Sequence, residues 1–243
     1  MPRRILVHLL PEAVTPDLLT GQTVAVIDVL RATTVIVYAL EAGARQVIAC
    51  REVEETRRVA ATFDPGTVVL GGERESMLID GFDLGNSPSE YTRKAVSGRA
   101  VVFTTTNGTK AISACRRAER VVIASFANCT AVTQDLASSP EVHLLCAGLQ
   151  GGISLEDTLC AGAIVEKLYG DDQTVELNDE ARLALAAWKD VVPGTLAEVI
   201  AAGQGGRNLS ELGFADDIDV AAGIDRFPIV PRYNPTDGSI QLD

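Results

Sequence analysis

From Arg4 to Tyr169, short β-branched runs alternate with amphipathic segments, and this alternation limits the possible folds more than any other feature of the sequence. The pattern predicts strands over residues 4–10, 23–29, 46–50, 67–70, 99–104, 120–124 and 141–146. It predicts helices between them over 32–42, 53–63, 89–96, 108–118, 129–138 and 155–169. Strands separated by helices of this length are joined by βαβ crossovers, which build a mostly parallel sheet covered on both faces. The expected fold is therefore α/β, in three α/β/α layers. An apolar share of 47% with only 5% aromatics suits such a core, because parallel strands buried on both faces favour Val, Ile, Leu and Ala.

Beyond Gly170 the pattern changes. Residues 178–191 read as a helix capped by Asn178, with Glu180 in an acidic first turn. A shorter helix spans 195–202, Gly203-Gln-Gly-Gly206 reads as a mobile stretch, and 209–223 is helical in pieces. Pro228-Ile-Val-Pro231 reads as an extended edge segment, where missing N–H groups are tolerated. The chain is read as one domain over 1–243, with 170–243 as a C-terminal helical elaboration, either a lid or an added layer.

A net charge of −12 argues against electrostatic nucleic-acid binding, but not against an anionic substrate held by a local arginine cluster. No apolar run is long enough to span a membrane, and the first ten residues lack a signal-peptide pattern. The five cysteines (50, 115, 129, 146 and 160) contain no C-x-x-C pair and sit in apolar stretches. These features lead us to expect a cytoplasmic protein with reduced thiols.

In open α/β sheets, ligands bind beyond the carboxyl ends of the strands. The polar residues that follow each predicted strand are therefore the candidate site. They are Asp28, Arg31, Thr33 and Thr34; Glu73 and Arg74, with Asp80, Asp83, Asn86 and Ser87 in the loop beyond; Thr105, Thr106, Asn107, Gly108 and Thr109; Ser125 and Asn128; and the turn Gly148-Leu-Gln-Gly-Gly152 with Ser154, Glu156 and Asp157. The run Thr104–Thr109 brings hydroxyls, an amide and a glycine to a helix start, as phosphate sites do; it equally suits an ordinary capped helix. Asp28 ends an apolar strand, where an unpaired carboxylate is costly. It reads either as a working acid or as the partner of Arg31. Glu156 and Asp157 read either as metal ligands or as helix-start acids.

If the anion is a phosphate ester, several hydrolytic chemistries are excluded by spelling. Asp28-Val-Leu30 lacks the second acid of a D-x-D nucleophile, and no cysteine carries arginine at C-x5-R spacing. Both histidines, His8 and His143, fall inside predicted strands. What remains is metal-assisted attack in which carboxylates and arginines do the chemistry.

The segments Ile27-Asp-Val-Leu-Arg-Ala-Thr-Thr34, Gly72-Glu-Arg74, Gly81-Phe-Asp-Leu-Gly-Asn-Ser-Pro88, Thr104-Thr-Thr-Asn-Gly-Thr109 and Ser154-Leu-Glu-Asp-Thr-Leu-Cys-Ala-Gly162 together resemble the 2-phosphosulfolactate phosphatase family. The likeness continues through Leu212-Gly-Phe-Ala-Asp-Asp-Ile218 and is weakest between Glu176 and Gly206. It implies an α/β/α fold, a dimer, and magnesium-dependent hydrolysis of 2-phospho-3-sulfolactate to sulfolactate and phosphate, a step of coenzyme M biosynthesis. On this reading Asp28 and Glu73, with Glu156 or Asp157, hold Mg2+ against the phosphate, while Thr105–Thr109 cradle its other oxygens. Arg31 and Arg74 neutralise the substrate's charge, and Asn86, Ser125 or the C-terminal segment help read its other groups. The attacking group is either metal-bound water or Asp28. A lyase or isomerase acting on a similar phosphorylated acid, or a non-catalytic sensor of such a metabolite, would use the same anion cradle.

Overall fold

The computed structural model describes residues 3–15, 17–170 and 174–242. Met1, Pro2, Pro16, Asp243 and 171–173, which the single-domain and C-terminal spans take in, lie outside the described residues. An eleven-stranded sheet runs β5-β4-β6-β3-β11-β10-β7-β2-β8-β1-β9. In chain order the strands are β1 (Arg4–His8), β2 (Thr23–Ile27), β3 (Gln46–Ala49), β4 (Val68–Arg74), β5 (Met77–Leu78), β6 (Ala100–Thr104), β7 (Arg120–Ala124), β8 (Glu141–Cys146), β9 (Glu176–Leu177), β10 (Arg232–Tyr233) and β11 (Ser239–Gln241). The helices are α1 (Ala32–Glu41), α2 (Val53–Ala60), α3 (Arg93–Val96), α4 (Gly108–Ala114), α5 (Cys129–Leu136), α6 (Leu155–Tyr169), α7 (Asp179–Lys189), α8 (Leu196–Ala202), α9 (Gln204–Glu211) and α10 (Asp216–Ala221).

Side chains alternate across each strand, and this alternation sorts the core into layers. Val24 and Val26 of β2 pack with Val35 and Ile36 of α1 and Ile112 of α4. Ala25 and Ile27 face the other way, onto α5, α6 and α7 through Val132, Leu159 and Leu185. The α/β/α sandwich expected from the alternation is therefore what forms. All five cysteines are buried and unpaired. Among the described residues no helix is long and apolar enough to cross a membrane.

The C-terminal segment departs from expectation. Its last strands do not lie over the sheet or at its edge. β10 pairs antiparallel with β7 (Tyr233↔Val121) and β11 antiparallel with β3 (Ile240↔Val47), so they fill the gap between two parallel half-sheets. The Pro228–Pro231 stretch, expected at an edge, leads into the sheet's middle, and the Pro231 carbonyl accepts from Ile123 N at 2.9 Å. A proline can contribute to a ladder through its carbonyl alone. Gly203–Gly206 is likewise not a mobile stretch but the first turn of α9. The glycines are there for close packing: a Cβ on Gly205 would lie 2.3 Å from Glu156 Oε1, and one on Gly206 would lie 2.2 Å from Ile200 O.

If this ribbon joins the half-sheets, truncating its core residue should weaken the whole molecule. Ile240 is fully buried, and Ile240→Ala should cost about 2–5 kcal/mol. Leu183→Ala, on an exposed face of α7, should change stability by less than about 0.5 kcal/mol. Urea unfolding of both variants makes the comparison, and equal effects would place the ribbon outside the cooperative core.

Candidate active site

β2 ends at Ile27, and the next residue, Asp28, is 5% exposed. Thr33 ties strand end to helix start: its Oγ1 donates to Asp28 O at 2.8 Å and accepts from Asp28 N at 2.9 Å. Thr34 Oγ1 donates to Val29 O. The chain crosses a cis peptide from Leu30 to Arg31 and enters α1, whose Ala32 N donates to Asp28 Oδ1 at 3.2 Å. α4 approaches from the other side, and a Cβ on Gly108 would lie 2.6 Å from Asp28 Oδ2. Gly108 thus lets α4 close over the acid and does not itself line the cavity.

Asp28, Arg31, Glu73, Asn86, Thr105, Thr106 and Asn107 line one chamber of about 100 Å³, together with Leu149 and Gln150 of the glycine-rich turn after β8 and with residues the sequence did not single out, Leu30, Glu75, Ser76 and Leu209. A wider cleft of about 400 Å³ opens beside it, walled by Ser76, Gln150 and, from α9, Asn208 and Leu209. Glu75, Ser76 and Gln150 all have positive φ (53°, 63° and 52°), a conformation that costs non-glycine residues energy and concentrates at ligand sites. Gln150 belongs to the glycine-rich turn that the strand-end rule marks, and the structure brings its side chain to the chamber.

Glu73 organises the chamber's rim. Its Oε1 accepts from Thr106 N (2.9 Å) and Thr106 Oγ1 (3.1 Å), and its Oε2 accepts from Ser76 N (2.7 Å). Asp157 does the same from beneath, taking Val29 N at 2.8 Å and Gly148 N at 3.1 Å. It thereby pins two strand-end loops, one after β2 and one after β8. Ser154 caps α6 by accepting from Asp157 N. Glu156 is buried against Gly205, and its Oε2 has no hydrogen-bond partner. Burial is the main cause that raises the Asp28 carboxyl, to about 7, and the charges of Glu73 and Glu156 add to it against the Ala32 N–H. Burial also raises Glu156, and burial together with the charges of Asp28 and Glu156 raises Asp157 well above the carboxylate range.

Arg31 does not pair with Asp28. Its Nη1 lies 2.6 Å from Asp217 Oδ2 of α10, its Nη2 donates to Ser76 O at 3.3 Å, and its guanidinium stacks 4.5 Å from the Phe214 ring centre. Ser87 Oγ donates to the other Asp217 oxygen. The block 212–218 stood out in the sequence, but no local signal ties Asp217 to Arg31, which lies 186 positions away.

Glu156 and Asp157, like Gly108, do not line the chamber, and Arg74, Ser125, Asn128 and Thr109 lie away from it. Arg74 was expected to face the crevice as part of a loop, but β4 continues past Gly71 and Gly72 to Arg74. Neighbouring strand residues point opposite ways, so Glu73 takes the chamber side and Arg74 the other. There Arg74 donates to Glu73 O, Arg51 O and Thr104 Oγ1 at 2.8–2.9 Å. Ser125 and Asn128 form a capping box after β7, and Asn128 Nδ2 donates to Ile123 O (3.0 Å) and Ile229 O (3.1 Å), anchoring the chain that leads to β10. Thr109 is buried and donates to Thr105 O at 2.8 Å, which is helix-start capping, not a contact with the cavity. The two histidines stack on β1 and β8 with ring centres 5.2 Å apart, and neither lines the chamber.

Among the described residues no three His, Cys, Asp or Glu side chains converge closely enough to cage a metal ion. Magnesium needs no such cage, since it binds through one or two carboxylates with waters and substrate phosphate completing its shell. The chamber lining carries Asp28, Glu73 and Glu75 against Arg31 alone, and Arg31 is already paired. That imbalance would suit a small cation, and Asp28 is the buried carboxylate that could meet it.

Fold and site together define a class: an α/β protein with buried acids, one arginine and a threonine-rich loop gathered beyond the carboxyl ends of a parallel sheet, where such folds bind small anionic ligands. The sequence pattern of the 2-phosphosulpholactate phosphatase family matches residues 8–236, and the chain belongs to that family. It is 43% identical to a protein of Symbiobacterium thermophilum named "Probable 2-phosphosulfolactate phosphatase", over 92% of this chain and 95% of that one. Proteins of the same name from Caldanaerobacter subterraneus (40% identity over 88% of each chain) and Deinococcus radiodurans (40% over 96% and 95%) are similar to it along nearly their whole length.

The raised Asp28 carboxyl has a measurable consequence in metal-free protein. In the folded chain Asp28 keeps its proton to about pH 7, whereas unfolded it ionises near 3.8. Between those values the unfolded state has released more protons than the native one, so stability falls as pH rises through the window and levels off above it. Asp28→Asn cannot ionise, and its stability advantage over the parent should grow from about pH 4 to about pH 7 in EDTA. Urea midpoints across that range measure the gap, and a gap independent of pH would mean that Asp28 ionises as freely folded as unfolded.

Proposed function

We propose that this protein hydrolyses 2-phosphosulfolactate to sulfolactate and orthophosphate with the help of magnesium. The observation that carries the reading is the meeting of Asp28 and Arg31, both just after β2, with Thr105–Asn107, just after β6, around one chamber of phosphoryl size. The names of full-length relatives supply the substrate. In the reaction a water oxygen gives up a proton as it forms the new bond to phosphorus, the bond from phosphorus to the C2 oxygen breaks, and that oxygen takes up a proton to leave as the hydroxyl of sulfolactate.

The chain's own groups divide this work. Thr105 and Asn107 offer hydroxyl and amide donors to the phosphoryl oxygens at the start of α4. Glu73 holds the Thr106 backbone and hydroxyl in place, so the cradle needs no rearrangement as charge develops. Arg31 faces the same oxygens with a charge whose direction is already set. Asp157 keeps the loops after β2 and β8 in register and is thus a support, not a ligand. Asp28, with Glu73 beside it, would hold magnesium, which when bound offsets charge on the phosphoryl oxygens. The organic arm, with its carboxylate and sulfonate, extends into the wider cleft.

Orthophosphate release from 2-phosphosulfolactate should disappear in EDTA and return with added magnesium. Asp28→Asn should remain folded and lose at least about a hundredfold in kcat. Full turnover by stripped protein would remove the metal from the mechanism. Conversion of substrate without free orthophosphate would point instead to a lyase or isomerase.

A further inference from the structure

Arg31 and Asp217 form the one ion pair among the described residues with both side chains buried, at 2% and 3% exposure. Such a pair is a poor source of stability, because desolvating two charges costs about what their attraction returns. What it confers is a fixed direction. Asp217 takes Nη1, the Ser76 carbonyl takes Nη2, and the Phe214 ring covers the guanidinium face. Asp217 is itself tethered, because Ser87 Oγ donates to its other oxygen. The contacts come from three separate segments, the turn after β4, the loop before Pro88, and the α9–α10 layer, and together they define the plane in which Arg31 meets the chamber. Arginine has five N–H donors in a rigid fork, so two occupied ones set where the others point.

We propose that Asp217 is a positioning residue: held by Ser87, it orients Arg31 for phosphoryl binding, and the C-terminal layer thereby completes a site whose other groups come from the first half of the chain. The inference rests on the phosphoryl-binding role of Arg31 proposed above. It differs from a docking role for α10, in which Asp217 would merely anchor the helix and orthophosphate affinity of the folded protein would be indifferent to it.

The test is a double-mutant cycle read by calorimetric titration of orthophosphate into full-length protein with magnesium present, with kcat and KM on 2-phosphosulfolactate in parallel. Asp217→Asn and Arg31→Lys should each weaken orthophosphate binding by about tenfold to a hundredfold, the range for a buried charge-assisted contact. The double variant should bind no more than about twofold worse than the weaker single variant, because the second change removes nothing the first has left working. Wild-type affinity in Asp217→Asn, or losses that multiply in the double variant, would overturn the proposal. Should Asp217→Asn fail to fold, Ser87→Ala keeps the ion pair and loosens only its tether. It should weaken orthophosphate binding several-fold while the protein stays folded, and should have no effect on binding in the Arg31→Lys background; unaltered affinity in Ser87→Ala would then reject the proposal. A parent protein that binds orthophosphate and shows the non-additive cycle, yet leaves 2-phosphosulfolactate intact, would refute the substrate and leave the positioning role standing. A parent that does not bind orthophosphate refutes the positioning role itself.

Discussion

The antiparallel ribbon of β10 and β11 is what makes one sheet of two. Without it β3 and β7 would each present a row of unpaired backbone groups, deep between helical layers where water cannot satisfy them. The ribbon's Tyr233 and Ile240 also belong to the same apolar cluster as α1 and α4. Closing the sheet therefore requires residues from the far end of the chain, and it holds the half-sheet carrying β2 against the one carrying β6 and β4. The chamber lies across that seam: Asp28 and Arg31 come from one side of it, Glu73 and Thr105–Asn107 from the other.

Inside the chamber the governing constraint is electrostatic. Several carboxyl groups share a region with little water, and each raises the cost of ionising the next. Backbone N–H groups donate to both Glu73 and Asp157, which turns those two acids into fixtures for the loops around them. Asp28, with fewer donors, is left as the acid whose charge depends most on what else enters. An anionic substrate and a cation would each enter poorly alone and well together, which is a physical reason for a site of this charge in a phosphatase.

The C-terminal helices act on this site without following the strand-end rule that identified its other members. α9 brings Leu209 and Asn208 to the cavities, and its glycine turn packs on Glu156. α10 supplies Asp217 to Arg31. A segment expected to lie over the site as a lid or added layer thus divides into two parts, one that bears on the chamber's arginine and one that enters the sheet.

By itself the sequence determined the strand–helix alternation, the three-layer sandwich, the limits of β7, β8 and α6, and the strand ends where chemistry could collect. These follow from periodicity and capping, which each segment carries locally, as the Asn178 cap on α7 does by accepting from Ala181 N. Only the tertiary structure decided which strand ends share a cavity, because strand order is set by pairing between distant segments. It decided that Arg74 turns away while Glu73 turns in, since two glycines that read as a loop instead let β4 pass close against Thr104 and carry its alternation onward. It decided that Ser125 and Asn128 serve the tail and that Arg31 belongs to Asp217 and not to Asp28. Periodicity tells which face of its own element a side chain occupies; what stands opposite that face depends on packing summed over the whole chain.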